Sequence, residues 1–192
     1  MFTDIVGYTR LAQANESLTL ELLEEHRMLL RPLFHAHGGT EVKTIGDSFL
    51  VEFRSALEAV LCAVDIQKVM KERNAGVPAQ RRLELRVGIH VGDVVHAPGD
   101  VYGDAVNVAS RIEPLAEPGG VCISQQVYDS VRNKSELAFE RMGEVELKNV
   151  ELPLGVYKVM MPWSERTEGH GSGTAREAGG APLRQHEPRP QR

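Results

Sequence analysis

The chain has 192 residues and a formal net charge of −5, with 42% hydrophobic and 26% charged residues, the profile of a globular domain with one core. An acidic balance argues against nucleic acid or an anionic membrane as the main partner, because those surfaces select basic patches. No apolar run reaches the length of a membrane span and the first residues lack the basic and apolar regions of a leader, so the expectation is a cytoplasmic location with no membrane segment in this chain.

The opening stretch, FTDIVGYT, puts Asp4 at the end of a short β-favouring run, and Gly7 lets the backbone turn so that amides could face an anion. Asn15 or Ser17 then caps a helix carrying Leu18, Leu22, Leu29, Leu30 and Leu33 at helical spacing, ending at His37-Gly38-Gly39, with Pro32 a potential kink. The run GTEVKTIGDSFLVEF reads as a tight hairpin turning at Gly46-Asp47, with Phe49, Val51 and Phe53 toward one face. A second helix is expected over 55–73, with Leu57, Val60, Leu61 and Val64 on one stripe. Strict alternation in LELRVGIHV sets Leu83, Leu85, Val87, Ile89 and Val91 on the buried side of a strand.

A Gly/Asp-rich segment, GDVVHAPGDVYGD, leads into a short helix through Arg111, and EPGG turns the chain into the strand VCIS. A short helix near Val127 and strands near 144–148 and 155–160 complete the pattern. The fold class expected is α+β, a ferredoxin-like βαββαβ core with helices on one face of the sheet and additional C-terminal strands and short helices. A catalytic or binding domain is expected over 1–162, followed by a Gly/Pro/Arg-rich tail, 163–192, expected to be disordered. There is no internal repeat. Cys62 and Cys122 lie singly in apolar runs and read as small core residues, and the seven histidines show no zinc-like spacing.

Asp47 in the hairpin turn and Asp4 at the end of the first strand lie side by side in such a fold, close enough to share divalent ions with phosphate oxygens and water. Each candidate has an ordinary use as well. Asp47 and Asp100 suit turns, Lys43 and Lys148 suit solvated surface, and Asn107 and Arg111, four apart on one helix face, suit a polar helix surface.

Taken in order, FTDIVGYT, KTIGDSF, RVGIHVGDV, DVYGDAVNVASR and ELKNV resemble the class III nucleotidyl cyclase catalytic domain over roughly residues 2–160. The resemblance implies a head-to-tail homodimer with two composite sites. Asp4 and Asp47 of one subunit, with Ile5, would hold two divalent cations, Mg²⁺ or Mn²⁺, and Ile5, Val6, Gly7, Tyr8 and Thr9 would wrap the triphosphate. Lys43, Asp100, Asn107, Arg111 and Lys148 would come from the other subunit. Arg111 would stabilise charge on the α-phosphoryl, Asn107 would align the ribose, and Lys148 would meet the terminal phosphates. Guanylyl cyclases of the family carry Glu and Cys-like residues where this chain has Lys43 and Asp100, so the resemblance implies ATP as substrate.

One departure concerns β-strand length. Only Met1, Phe2 and Thr3 precede Asp4, so the first strand is expected to be short and frayed, with its natural start upstream or its metals held less firmly. A nucleotide-binding sensor without turnover is therefore a rival reading. A diguanylate cyclase is disfavoured, because the turn reads TIGDSF rather than GGDEF.

Overall fold

The computed structural model describes residues 1–146 and 153–164. Lys148 and all of the tail except Trp163 and Ser164 lie outside the described residues.

The first strand, β1 (Phe2–Ile5), is short but not frayed. It pairs antiparallel with β3 (Ser48–Glu52) on one side and β4 (Leu85–Ile89) on the other, and Thr3 is fully buried between them. Two neighbours give a four-residue strand the ladder bonds that a longer edge strand would have from one.

A helix not foreseen from the sequence, α1 (Tyr8–Ala14), follows at once, started by Gly7 in the left-handed region at φ 72°. The long helix α2 (Glu16–Ala36) begins where Asn15 Oδ1 accepts from Leu18 N–H at 3.0 Å. It buries Leu22, Leu23, His26, Leu30 and Phe34. It continues four residues past Pro32. The carbonyl that Pro32 cannot serve belongs to Met28, a residue 69% exposed, so water can take that bond.

The hairpin of β2 (Thr40–Ile45) and β3 turns through Gly46 at φ 63°, as expected. Helix α3 (Ala56–Ala75) is capped by Ser55 and buries Val60, Ala63, Val64, Ile66, Gln67 and Met70, while Leu57 and Leu61 sit only partly covered. The fourth strand is shorter than the alternation suggested. Leu83 is buried just before it, but Val91 lies beyond its end and is 44% exposed.

A small two-stranded ribbon, β5 (Val95–Ala97) with β6 (Asp100–Tyr102), precedes α4 (Asp104–Ile112) and a 3-10 turn, Glu113–Leu115. Then come β7 (Val121–Ser124), α5 (Gln125–Val131), β8 (Ala138–Val145) and β9 (Leu154–Met160). The eighth strand thus starts earlier than expected, and most of it is exposed.

The sheet runs β2-β3-β1-β4-β7-β9-β8, with only β4 and β7 parallel. Its first four strands have the ferredoxin-like order. Helices α2, α3 and α5 cover one face over Phe49, Val51, Val87, Val121 and Ile123. Helix α4 packs on the other face with Cys122 and Val156, so the expectation of helices on a single face is corrected. Gly88 is the reason. A Cβ there would sit 2.6 Å from Glu113 Cα and 2.7 Å from the Ala109 carbonyl oxygen, so only a bare backbone admits α4 and its following turn. The two cysteines are free and buried, as read from their apolar runs.

His37, at the end of α2, ties that helix to α3. Its Nδ1 donates to Glu58 at 3.0 Å and its Nε2 to Asp65 at 2.9 Å. Both partners are acceptor-only when ionised, so the two bonds form together only with the protonated ring. Burial works against that charge, but the hydrogen bonds to Glu58 and Asp65 outweigh it and raise the pKa. The stabilisation is complete below the ordinary histidine pKa and is lost as pH rises through the raised value. His37→Ala is expected to cost about 1 kcal/mol in urea melts at about pH 6, held down by the exposure of both carboxylates, and clearly less at about pH 9.

Candidate active site

Strand β1 alternates, with Thr3 and Ile5 buried and Phe2 and Asp4 on the opposite face. Asp47 stands in the β2–β3 turn. The two meet as expected. Ile5 N–H donates to Asp47 Oδ2 at 3.0 Å, and Ser48 Oγ donates to Asp4 Oδ1 at 2.6 Å. One side of each carboxylate is thereby fixed by the fold.

The electrostatics bear on what the pair could hold. Burial, then the charge of Asp4, push the Asp47 carboxyl up to about 6, against the Ile5 N–H that favours its ionised form. Two acidic groups crowded together without a counter-ion resist ionising at once. A divalent cation would remove that conflict, and oxygen donors are what Mg²⁺ or Mn²⁺ takes. Among the described residues no group of three or more His, Cys, Asp or Glu side chains is arranged to hold a metal. The donor set therefore fits cations that complete their shells with water or a phosphorylated ligand.

Behind this pair lies a carboxyl that sequence reasoning missed. Glu113 is 8% exposed, and burial, then Asp4, push it up to about 7, with Arg86 opposing and Asp47 adding to the rise. Arg86 stands directly across the β1–β4 ladder from Asp4. Ser48 was missed as well, although its place next to Asp47 was the available signal. For Glu113 the signal was an acid between the α4 pattern and Pro114.

A second pair forms at the β2 edge. Lys43 Nζ donates to Asp100 Oδ2 at 2.6 Å, and Val101 N–H donates to Asp100 Oδ1 at 2.8 Å. The Lys43 ammonium beside it holds the Asp100 carboxyl below the usual range. Both side chains remain partly open to solvent. Asn107 and Arg111 share a face of α4, Asn107 exposed and Arg111 half-buried. Neither side chain hydrogen-bonds to another described residue. The segment from Ile5 to Thr9 forms the end of β1 and the start of α1, where no side chain caps the helix. Lys148 lies outside the described residues.

The sequence model of the adenylate and guanylate cyclase catalytic domain matches residues 1–162. The chain belongs to this family. "Putative adenylate cyclase 3" of Rhizobium meliloti is 42% identical over 155 residues, covering 80% of this chain and 26% of that protein. The crystal structure of an adenylate/guanylate cyclase/hydrolase from Silicibacter pomeroyi superposes with a TM-score of 0.74 at 36% identity, covering 84% of this chain and 94% of that one. The adenylyl cyclase CyaB from P. aeruginosa gives 0.71 at 26% identity, covering 86% and 93%. The cyclase domain spans about a quarter of the length of the curated relatives it matches first. Among its described residues no helix is long and apolar enough to cross a membrane.

The raised Asp47 carboxyl gives the cyclase domain a testable pH signature. Without divalent cations, ionising Asp47 above about 6 costs the folded state, so the native protein binds more protons than the unfolded chain between the ordinary and the raised value. Asp47→Asn is expected to stabilise the cation-free protein by about 1 kcal/mol at neutral pH, after discounting for partial exposure. The gain fades as pH falls through about 6. Thermal melts with a chelator, then with Mn²⁺, check both parts, since the cation should stabilise only the parent.

Proposed function

We propose that this domain converts ATP to 3′,5′-cyclic AMP and pyrophosphate at two composite sites of a head-to-tail homodimer. The observation that carries the reading is the convergence of Asp4 and Asp47, far apart in the sequence, into one under-neutralised carboxylate pair. These two, with the adjoining Ile5, would hold two divalent cations. Bound there, the cations would lower the pKa of the ribose 3′-hydroxyl and neutralise charge on the departing pyrophosphate.

The remaining roles belong to the protein. The turn from Ile5 through Gly7 to Thr9 lays the uncapped start of α1 against the triphosphate. Asn107 holds the ribose so that its 3′-oxygen approaches the α-phosphorus in line with the leaving group. Arg111 supplies a permanently charged, multi-donor group to the α-phosphoryl oxygens as negative charge builds there. Lys148 is assigned to the terminal phosphates by its ELKNV motif alone. That Asn107 and Arg111 bond to no other described residue is consistent with their meeting a nucleotide held at the partner's carboxylates.

The family includes both adenylate and guanylate cyclases, so the base must be argued from the residues that would read it. Adenine offers an acceptor at N1 and a donor at N6, matching the donor-only Lys43 and the acceptor-only Asp100. Guanine presents the reverse. The 2.6 Å bond between these two residues supports the assignment, because it shows that they share one small region and could address one base edge.

The deciding experiment is turnover of the purified domain with ATP and with GTP, each with Mg²⁺ and Mn²⁺. Cyclic AMP is the expected product, with GTP used about a hundredfold or more less well. Preference for GTP, or ATP binding with no product, would overturn the reading, the latter in favour of a sensor. For the composite site, Asp4→Ala and Arg111→Ala are each expected to be inactive. Their mixture should regain about a quarter of the parent activity, since half the dimers are mixed and one of their two sites is intact. No recovery despite demonstrated subunit exchange would remove the shared site.

A further inference from the structure

We propose that Glu113 is a positioning residue of the cation site, a third acidic group that strengthens divalent-cation binding at Asp4 and Asp47 from behind, with Arg86 as its opposing charge. The inference rests on the reading of Asp4 and Asp47 as the cation-holding pair.

Glu113 has no freedom to leave. Its backbone lies against Gly88 of β4, where even a methyl group would clash, and the turn it begins packs on both β1 and β4. Its side chain is 8% exposed, and Oε1 is buried with no hydrogen-bond partner among the described residues. Arg86 Nε is likewise buried without a partner. A buried acid near a half-buried arginine whose Nε is enclosed would ordinarily pair with it, because an unmet charged group in the interior is among the most costly features a fold can carry. Here they stand near one another without forming an ion pair.

What Glu113 does feel is the cation site. Asp4 acts on its carboxyl more strongly than any other charged neighbour, Arg86 opposes, and Asp47 adds to Asp4. Interaction between charges is mutual, so Glu113 deepens the negative potential at both aspartates. A carboxylate held near the ligands without bonding to them raises their hold on a metal through its charge. Arg86, across the ladder from Asp4, works in the opposite sense. The two residues therefore make opposite predictions, which a merely structural role would not.

The test is Mn²⁺ binding to the nucleotide-free domain, followed by electron paramagnetic resonance at about pH 8, above the carboxyl range. Glu113→Gln, which keeps the shape and removes the charge, is expected to weaken Mn²⁺ binding about tenfold. Arg86→Gln is expected to strengthen it a few-fold. Unchanged affinity in folded Glu113→Gln, or weaker binding in Arg86→Gln, overturns the proposal. Should Glu113→Gln fail to fold, the double variant Arg86→Gln/Glu113→Gln, which removes both charges, decides: Mn²⁺ binding as tight as in Arg86→Gln alone overturns the proposal. Asp47→Ala separates the two levels. Undiminished Mn²⁺ binding in that variant overturns the cation-site reading itself, whereas loss there with none in Glu113→Gln overturns only the role of Glu113.

Discussion

Two carboxylates that repel each other are held together at the end of β1 and the β2–β3 turn, and much of the surrounding architecture serves to keep them there. The Ile5 N–H fixes one and the Ser48 hydroxyl fixes the other. Both fixtures depend on β1 lying between β3 and β4, because that pairing sets the register of Asp4 against the hairpin. The repulsion is tolerated because the opposite face of the sheet is buried under α2, α3 and α5, where residues such as Phe34, Phe49, Ile66 and Leu85 are fully enclosed. Each such side chain contributes about 1.5–3 kcal/mol on burial, enough for a few of them to offset a charged cluster. Stability is concentrated on one side of the sheet, which leaves the other side free for chemistry.

That second side is not empty. Helix α4 occupies part of it, carrying Asn107 and Arg111 outward while its C-terminal end rests on β4 beside Asp4. On the composite-site reading, one protomer displays two different halves of a site, joined through Gly88 and Glu113. In a head-to-tail pair each half would meet its complement from the other subunit. The same packing that brings α4 close also leaves Glu113 Oε1 and Arg86 Nε buried and unmet among the described residues, an arrangement with no evident benefit to stability.

Much of this was legible in the residues. The Gly46-Asp47 turn and the alternation of Leu85, Val87 and Ile89 each have one dominant local cause and formed where it placed them, and of the two cap candidates, Asn15 and Ser17, the structure uses Asn15. Asp4 met Asp47 because strand order follows from the βαββαβ pattern, whereas Asp100, which meets Lys43, stands in the separate β5–β6 ribbon and was linked to Lys43 only by the family resemblance. The misses had physical causes too. Helix α1 was hidden behind Gly7, which signals a turn and here also starts a helix. Val91 continued an alternation that the strand itself did not. Most of β8 is exposed, so it lacked the apolar period that reveals strands. The placement of α4 on the second face turned on the missing Cβ at Gly88, and a glycine in a strand does not announce what lies against it. Glu113 could not be singled out, since its significance comes from burial beside groups remote in sequence.

The Lys43–Asp100 bond has a consequence for how a nucleotide enters. In the resting protomer these side chains already satisfy one another at 2.6 Å. On the adenylyl reading, an incoming base must break a formed pair before it can make two bonds of its own, so even the correct base gains little from the exchange. An incorrect one leaves two ions stranded. Such a domain would achieve fidelity by sacrificing tightness, rejecting impostors at the threshold and filling only when its substrate is plentiful.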